Sequence, residues 1–166
     1  VNWGLDYAKR PKKDDKSFYL AYPNQDFKIN KSDNEFISWQ EWGMKNNNFV
    51  ISYIGSITKN KLSLDIIIKA AKRLNNLSNI KFVIAGDGDD REYYLNKSKG
   101  LNNIIFPGWI NKRQIKSLLS ISELGLVPIK NRFDFMMSIP NKPIEYMAHG
   151  VPLLSSLKGE LESLIE

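Results

Sequence analysis

From Phe49 onward, short apolar runs alternate with longer runs whose apolar residues recur at helical spacing, and few folds accommodate such a chain. Phe49 to Ile57 reads as a first strand ending at Gly55. Leu62 to Leu77 reads as the helix after it, because Leu64, Ile67, Ala71, Leu74 and Leu77 fall on one helical face. Ile80 to Ala85 is a second strand, and Gly86, Asp87 and Gly88 turn the chain into a polar helix over Arg91 to Lys99. Asn103 to Phe106 then predicts a strand, Lys112 to Ser122 a helix and Leu124 to Pro128 another strand. A loop from Ile129 to Ile139 leads to a helix closed by Gly150, and Val151 to Ser155 forms the last strand. The expectation is an α/β protein of three layers, α/β/α, with a mostly parallel sheet. The right-handed crossover rule lines up Gly55, Gly86, Pro107 and Pro128 along the edge where such sheets bind ligands.

Residues 1–48 read differently. Val1 to Arg10 suggests a short helix, Pro11 to Lys16 a charged break, Phe18 to Tyr22 an extended stretch and Phe36 to Met44 a helix that packs on a neighbour. This segment is expected to be an inter-domain connection, and residues 49–166 the domain. The chain starts at Val1, and at Glu166 a new amphipathic run from Gly159 has just begun, so a piece of a longer polypeptide is expected.

The sequence has no cysteine, which removes disulfides, thiolate metal sites and cysteine nucleophiles and fits a reducing cytoplasm. A single histidine argues against a histidine metal cluster. No apolar stretch reaches membrane-spanning length and no signal-peptide pattern is present. The net charge of +6 suits an anionic partner: nucleotide phosphates, lipid head groups or nucleic acid. Lys9, Arg10, Lys12, Lys13 and Lys16 are interrupted by Asp14 and Asp15, and a solvated face accounts for them.

Ile139 to Ser156, IPNKPIEYMAHGVPLLSS, joins a proline-bounded helix start, an acidic residue, a glycine stop and a short strand. Asn141 is the expected N-cap, since proline is tolerated only in a first turn. A helix N-terminus above the carboxyl edge of a sheet attracts anions through unpaired amides and the helix dipole. Glu145, one turn inside, could accept hydrogen bonds from a pair of sugar hydroxyls, or be an ordinary surface glutamate. The turn Gly55 to Leu62, GSITKNKL, offers small residues and lysines suited to a pyrophosphate, or is a solvated loop. It is not a Walker loop. Gly86-Asp87-Gly88 lacks the third glycine of the dinucleotide fingerprint, and a strand stop accounts for it. Phe106 to Ile110 could form an apolar wall for a nucleobase. His149, beside Gly150, gains from the helix C-terminal dipole and is not expected to be a catalyst.

Taken in order, Tyr53–Leu74, Phe82–Asp90, Ile104–Ile110, Glu123–Pro128 and Ile139–Ser156 resemble the C-terminal, nucleotide-sugar-binding domain of bacterial family-four glycosyltransferases. These enzymes have the GT-B architecture of two facing Rossmann-like domains. The resemblance implies that Val1 to Arg10 ends a missing N-terminal domain and Pro11 to Asn48 connects the two. It also implies that another strand and helix lie beyond Glu166. By the same resemblance Glu145 holds the ribose hydroxyls, Asn141 and Lys142 begin the helix that meets the pyrophosphate or sugar, and Gly55 and Ser56 lie near the phosphates. Lys59 or Lys61 is then the phosphate-binding lysine, Gly86, Asp87 and Gly88 line the cleft, and Trp109 and Ile110 face the base. Lys61 and Glu145 are the implied catalytic pair.

Two positions depart from the family pattern. Met137 stands where many members have an acidic residue, and Ser56 where an arginine is usual. The implied reaction is a retaining, metal-independent transfer from a UDP- or GDP-sugar to a glycan or lipid-linked acceptor held mostly by the other domain, in surface polysaccharide synthesis. The implied location is the cytoplasm, with peripheral contact at the inner face of the membrane. A nucleotide-sugar epimerase of the same architecture is the alternative among enzymes, although the cleft offers few acid/base side chains. A non-catalytic glycosyltransferase-like subunit is the alternative from another class, and nucleic-acid binding is the most distant reading.

Overall fold

The computed structural model of this chain describes residues 39–166 apart from Glu41. The readings made on residues 1–38, among them the first helix, the extended stretch and the basic cluster, lie outside the described residues.

The domain is a parallel five-stranded sheet with helices in its crossovers. Its strands are β1 (Phe49–Ile54), β2 (Ile80–Ala85), β3 (Ile104–Gly108), β4 (Ser122–Val127) and β5 (Leu153–Ser155), in spatial order β3-β2-β1-β4-β5. The connecting helices are α1 (Leu64–Arg73), α2 (Arg91–Lys97), α3 (Lys112–Ile121), α4 (Phe133–Met136) and α5 (Asn141–Ala148), and α6 (Glu160–Ile165) follows β5. Every pairing is parallel, with Phe49 opposite Ile80 through Ile54 opposite Ala85 in the β1/β2 ladder. The chain order reverses between β1 and β4, so the topological switch point lies above their carboxyl ends.

β1 and β2 are apolar on both faces because helices cover both, as parallel sheets require. α1 buries Leu64, Ile67 and Ala71 of the stripe its spacing predicts, with Ile68 beside them, while Leu77 falls beyond its end and is exposed. Trp39 and Gln40 are helical, but the chain turns at Gly43, whose φ of +75° suits glycine, so the helix predicted to reach Met44 stops early. Trp39 is buried and its indole N–H donates to Ser117 Oγ on α3 at 2.9 Å.

Several boundaries differ from expectation for identifiable reasons. β3 runs through Pro107 to Gly108, which its place at the sheet edge permits, because an edge strand can lack one donor. The stretch predicted as loop contains α4, steadied by the Arg132–Asp134 ion pair at 2.9 Å. Asn141 is not the N-cap of α5. Pro140 holds that position with φ −63° and ψ 151°, and no side chain caps the helix. The fixed ring of Pro140 supplies the extended cap geometry, and Asn141 is already helical.

Candidate functional site

The carboxyl ends of β1 and β2 are joined by backbone hydrogen bonds that continue past both strands. Gly55 N–H donates to Ala85 O at 3.0 Å, Ile57 N–H to Asp87 O at 2.8 Å and Asp90 N–H to Ile57 O at 3.3 Å. The turns pack so closely that a Cβ on Gly86 would lie 1.8 Å from Gly55 O, and one on Gly88 2.5 Å from Ile57 O. Both glycines also have positive φ, at 138° and 154°. Their glycine identity is thus accounted for by loop-on-loop packing, whatever else the turn does. Asp87 is exposed, and its carboxylate accepts the Gly88 N–H at 2.8 Å.

On the other side of β1, the turn after it meets the segment after β4. Ser63 N–H donates to Pro128 O at 2.8 Å, Lys130 N–H to Lys61 O at 2.9 Å, and Leu62 bridges to Ile129. Lys61 and Lys130 are thereby neighbours along the backbone where the two turns meet. Lys59 points elsewhere. Its amide donates to Asp90 Oδ2 at 2.6 Å, and its ammonium lies 3.4 Å from Asp90 Oδ1 and 3.3 Å above the Tyr93 ring.

α5 is fastened across the crevice by Tyr146. The Tyr146 hydroxyl donates to Ser52 O in β1 at 3.1 Å, and its ring lies where a Cβ on Gly125 of β4 would sit, 2.7 Å away. Burial drives its phenol pKa far up, against the opposing pull of the Ser52 hydrogen bond, so it remains a donor. Next to it Glu145 is mostly buried and forms an ion pair with Lys142, one turn earlier on the same helix. His149 Nδ1 lies 2.8 Å from Glu145 O, and because a carbonyl only accepts, this nitrogen carries the proton. The same carbonyl accepts the His149 amide at 3.2 Å, so the imidazole adds a second bond in the last turn of α5.

Trp109 is 74% exposed beyond β3, whereas Ile110 is 6% exposed and its side chain belongs to the core. By topology the turn after β1, with Gly55, Ser56 and Lys61, and the start of α5, with Asn141, Lys142 and Glu145, both belong to the carboxyl edge beside the switch point. Gly86, Asp87 and Gly88 flank it, and Trp109 lies further along the same edge. Sequence reading missed Tyr53 and Asp90, which hold the β1–α1 turn. Tyr53 sits in an unbroken apolar strand, and Asp90 is 31 positions from the amide it caps, so no local pattern marks either. A separate concavity of about 510 Å³, lined by Trp39, Met44, Val50, Ile121 and Glu123 among others, lies toward the amino ends of β1 and β4, away from the ligand-binding edge of such sheets. Among the described residues no three His, Asp or Glu side chains are grouped to hold a metal ion.

Strand order and switch-point crevice define the class: a Rossmann-like α/β domain with its candidate site at the carboxyl edge. The chain belongs to the glycosyl transferases of group 1, whose family pattern it matches over residues 48–166. It is 27% identical over 156 residues to the uncharacterized glycosyltransferase MJ1607 of Methanocaldococcus jannaschii, covering 91% of this chain and 38% of that protein. Among solved structures it resembles WaaG, a glycosyltransferase involved in lipopolysaccharide biosynthesis, with a TM-score of 0.64 and 19% identity over 87% of this chain and 38% of that one. The C-terminal domain of the group 1 protein LpcC from Francisella tularensis superposes with a TM-score of 0.55 and 20% identity, covering 75% of this chain and 65% of that one. Anabaena HepE, solved with UDP and glucose, does so with a TM-score of 0.55 and 18% identity over 82% and 37%. At these identities the structural likenesses speak to fold. That fold is the Rossmann-like fold of GT-B glycosyltransferases, and the chain spans 38% of the length of MJ1607 and of WaaG.

Proposed function

We propose that this chain is the donor-binding domain of an enzyme that moves a sugar from a UDP- or GDP-sugar to a glycan or lipid-linked acceptor, with retention and without a metal. Its setting would be bacterial surface polysaccharide assembly at the cytoplasmic face of the membrane. The observation that carries the reading is the start of α5, with Glu145 and Lys142, fastened by Tyr146 over the β1/β4 switch point in a chain of the group 1 family. HepE, which shares this fold, was solved with UDP.

On this reading Glu145 accepts the ribose hydroxyls. The Ser56 amide, the α5 amides and Lys61 meet the diphosphate, and Trp109 lies toward the base. As the bond from the sugar's anomeric carbon to the phosphate oxygen breaks, negative charge grows on the leaving nucleoside diphosphate. Fixed amides and an ammonium aimed there lower the barrier without having to reorganise. The acceptor would be held by the other domain, so this chain alone binds donor without turnover.

The test is thermal unfolding of the chain with UDP, GDP, ADP and the matching sugar nucleotides. A nucleotide at a hundred times its dissociation constant adds about 2.7 kcal/mol, a rise of roughly 5 to 10 °C for a chain of this size. The expected result is a rise with one base, lost in Glu145→Ala. A second reading, a non-catalytic glycosyltransferase-like subunit, is favoured by Met137 and Ser56 where the family pattern has charged residues. A cooperatively melting chain that responds to none of these nucleotides would replace the first reading with the second.

A further inference from the structure

We infer that Tyr53 is a positioning residue that presets the Ser56 amide as a donor to the nucleotide's diphosphate. The inference rests on the donor-binding reading above and adds a residue to it. In a parallel ladder, alternate residues turn their peptide groups to opposite neighbours. Gly55 and Ile57 donate to Ala85 and Asp87 on the β2 side, at 3.0 and 2.8 Å. Ser56, between them, therefore turns its N–H and C=O to the β4 side. β4 ends at Val127, and the segment after it bonds to residues 61–63 and not to Ser56.

On that side the Ser56 carbonyl accepts the Tyr53 hydroxyl at 2.8 Å. The Ser56 N–H has no hydrogen-bond partner among the described residues, and Ser56 is exposed. The Ser56–Ile57 peptide is thus clamped at both ends, its carbonyl by Tyr53 and its N–H by Asp87. The Ser56 N–H belongs to the preceding Gly55–Ser56 peptide, which lies between this held peptide and the Gly55 N–H bonded to Ala85 O at 3.0 Å, so with planar peptides only the dihedrals at Gly55 and Ser56 remain to aim it. Gly55 completes the device. A Cβ there would lie 2.7 Å from the Tyr53 hydroxyl, so any larger residue would push that hydroxyl off the Ser56 carbonyl. Tyr53 is 6% exposed, and burial holds its phenol pKa far above the usual value, so the hydroxyl remains a donor through the working pH range.

The test is isothermal titration of the chain and its Tyr53→Phe variant with UDP, GDP and ADP, and with the nucleoside of whichever binds. Tyr53→Phe keeps the ring in the core and removes only the clamp. The expected result is about 3- to 10-fold weaker nucleoside diphosphate binding, the size of one hydrogen bond, with nucleoside binding unchanged. Gly55→Ala should produce the same selective loss, and the Tyr53→Phe/Gly55→Ala pair should lose less than the sum, because both break one contact. Equal affinities in wild type and Tyr53→Phe would overturn the positioning role while leaving the donor-binding reading intact. Equal losses for nucleoside and diphosphate would also overturn it, since the tyrosine would then act on the whole site. Wild-type chain that binds none of these nucleotides would overturn the donor-binding reading itself, and this inference with it.

Discussion

Lys59 and Lys61 stand two positions apart on one turn, in different electrostatic company. The Lys59 ammonium faces Asp90 and the Tyr93 ring on the α2 side, while Lys61 is tied through its own carbonyl to Lys130 where the two turns meet and has no ion-pair partner among the described residues. An ion pair as open as Lys59–Asp90, with side chains 42% and 25% exposed, contributes little by itself. What matters is that Asp90 also accepts the Lys59 amide, so one carboxylate fixes both the loop and the direction of the cation. Lys61→Ala is therefore expected to weaken nucleoside diphosphate binding on the order of 10-fold or more, as loss of a charge-assisted hydrogen bond does. Lys59→Ala should change it less than 3-fold, the scale of an exposed pair. Calorimetric titration of the two variants checks this, and a larger loss at Lys59 would reverse the assignment. Sequence reading put Lys61 first and kept Lys59 as the other candidate, and it could not see their different surroundings, because those are set by an aspartate and a tyrosine on the next crossover.

At the scale of elements, α3 and α5 start by different means. Asn111 Oδ1 accepts the Gln114 amide and Gln114 Oε1 accepts the Asn111 amide, both at 2.9 Å, a reciprocal capping box. α5 has no side-chain cap, and its first turn relies on the fixed rings of Pro140 and Pro143. Asn111→Ala should therefore cost about 1 kcal/mol, read as a lower urea midpoint with an unchanged slope, and Gln114→Ala on top of it should add less than it does alone. Full additivity of the two would show that the box is not acting as a unit. The elements themselves were legible wherever period and length agreed. β2 was read to the residue, and the α1 stripe Leu64, Ile67, Ala71 lies in the core. What was not legible depended on neighbours: Pro107 inside β3 is allowed by an edge position, and α4 forms in a stretch without helical period. In the candidate site, the glycines and the Pro140–Gly150 helix stood out in sequence. Tyr53 did not, because a buried tyrosine and a positioning tyrosine look alike until the Ser56 carbonyl is seen against the hydroxyl.

Across the described residues, three buried tyrosines bind the layers together. Tyr53 holds the β1 turn, Tyr146 ties α5 to β1 and Tyr94 fills the space under α2. Burial raises all three phenol pKa values above the ordinary 10.0, that of Tyr94 to about 12 with the negative charges of Asp65 and Asp90 adding to the effect. A pKa raised in the folded state means that the unfolded chain loses its phenol protons first. The stability tied to the neutral phenols is thus complete below pH 10.0 and is lost as pH rises through the folded values. The Lys97 ammonium, held above its usual pKa by hydrogen bonds to Asp65 and Tyr93, titrates in the same direction. Above about pH 10 the domain is therefore expected to lose stability steeply, with tyrosinate absorbance from the buried phenols appearing together with the loss of far-ultraviolet circular dichroism. Tyr94→Phe separates the contributions. The Tyr94 hydroxyl is buried without a hydrogen-bond partner among the described residues, so its removal should leave stability at neutral pH equal or higher and move the alkaline limb to higher pH. Tyr146→Phe removes a satisfied hydroxyl and should lower stability at neutral pH, by about 1 kcal/mol. If all tyrosines instead ionise near pH 10 while the circular dichroism stays native, the phenols do not hold the layers together, and the alkaline limit must be sought among the lysines.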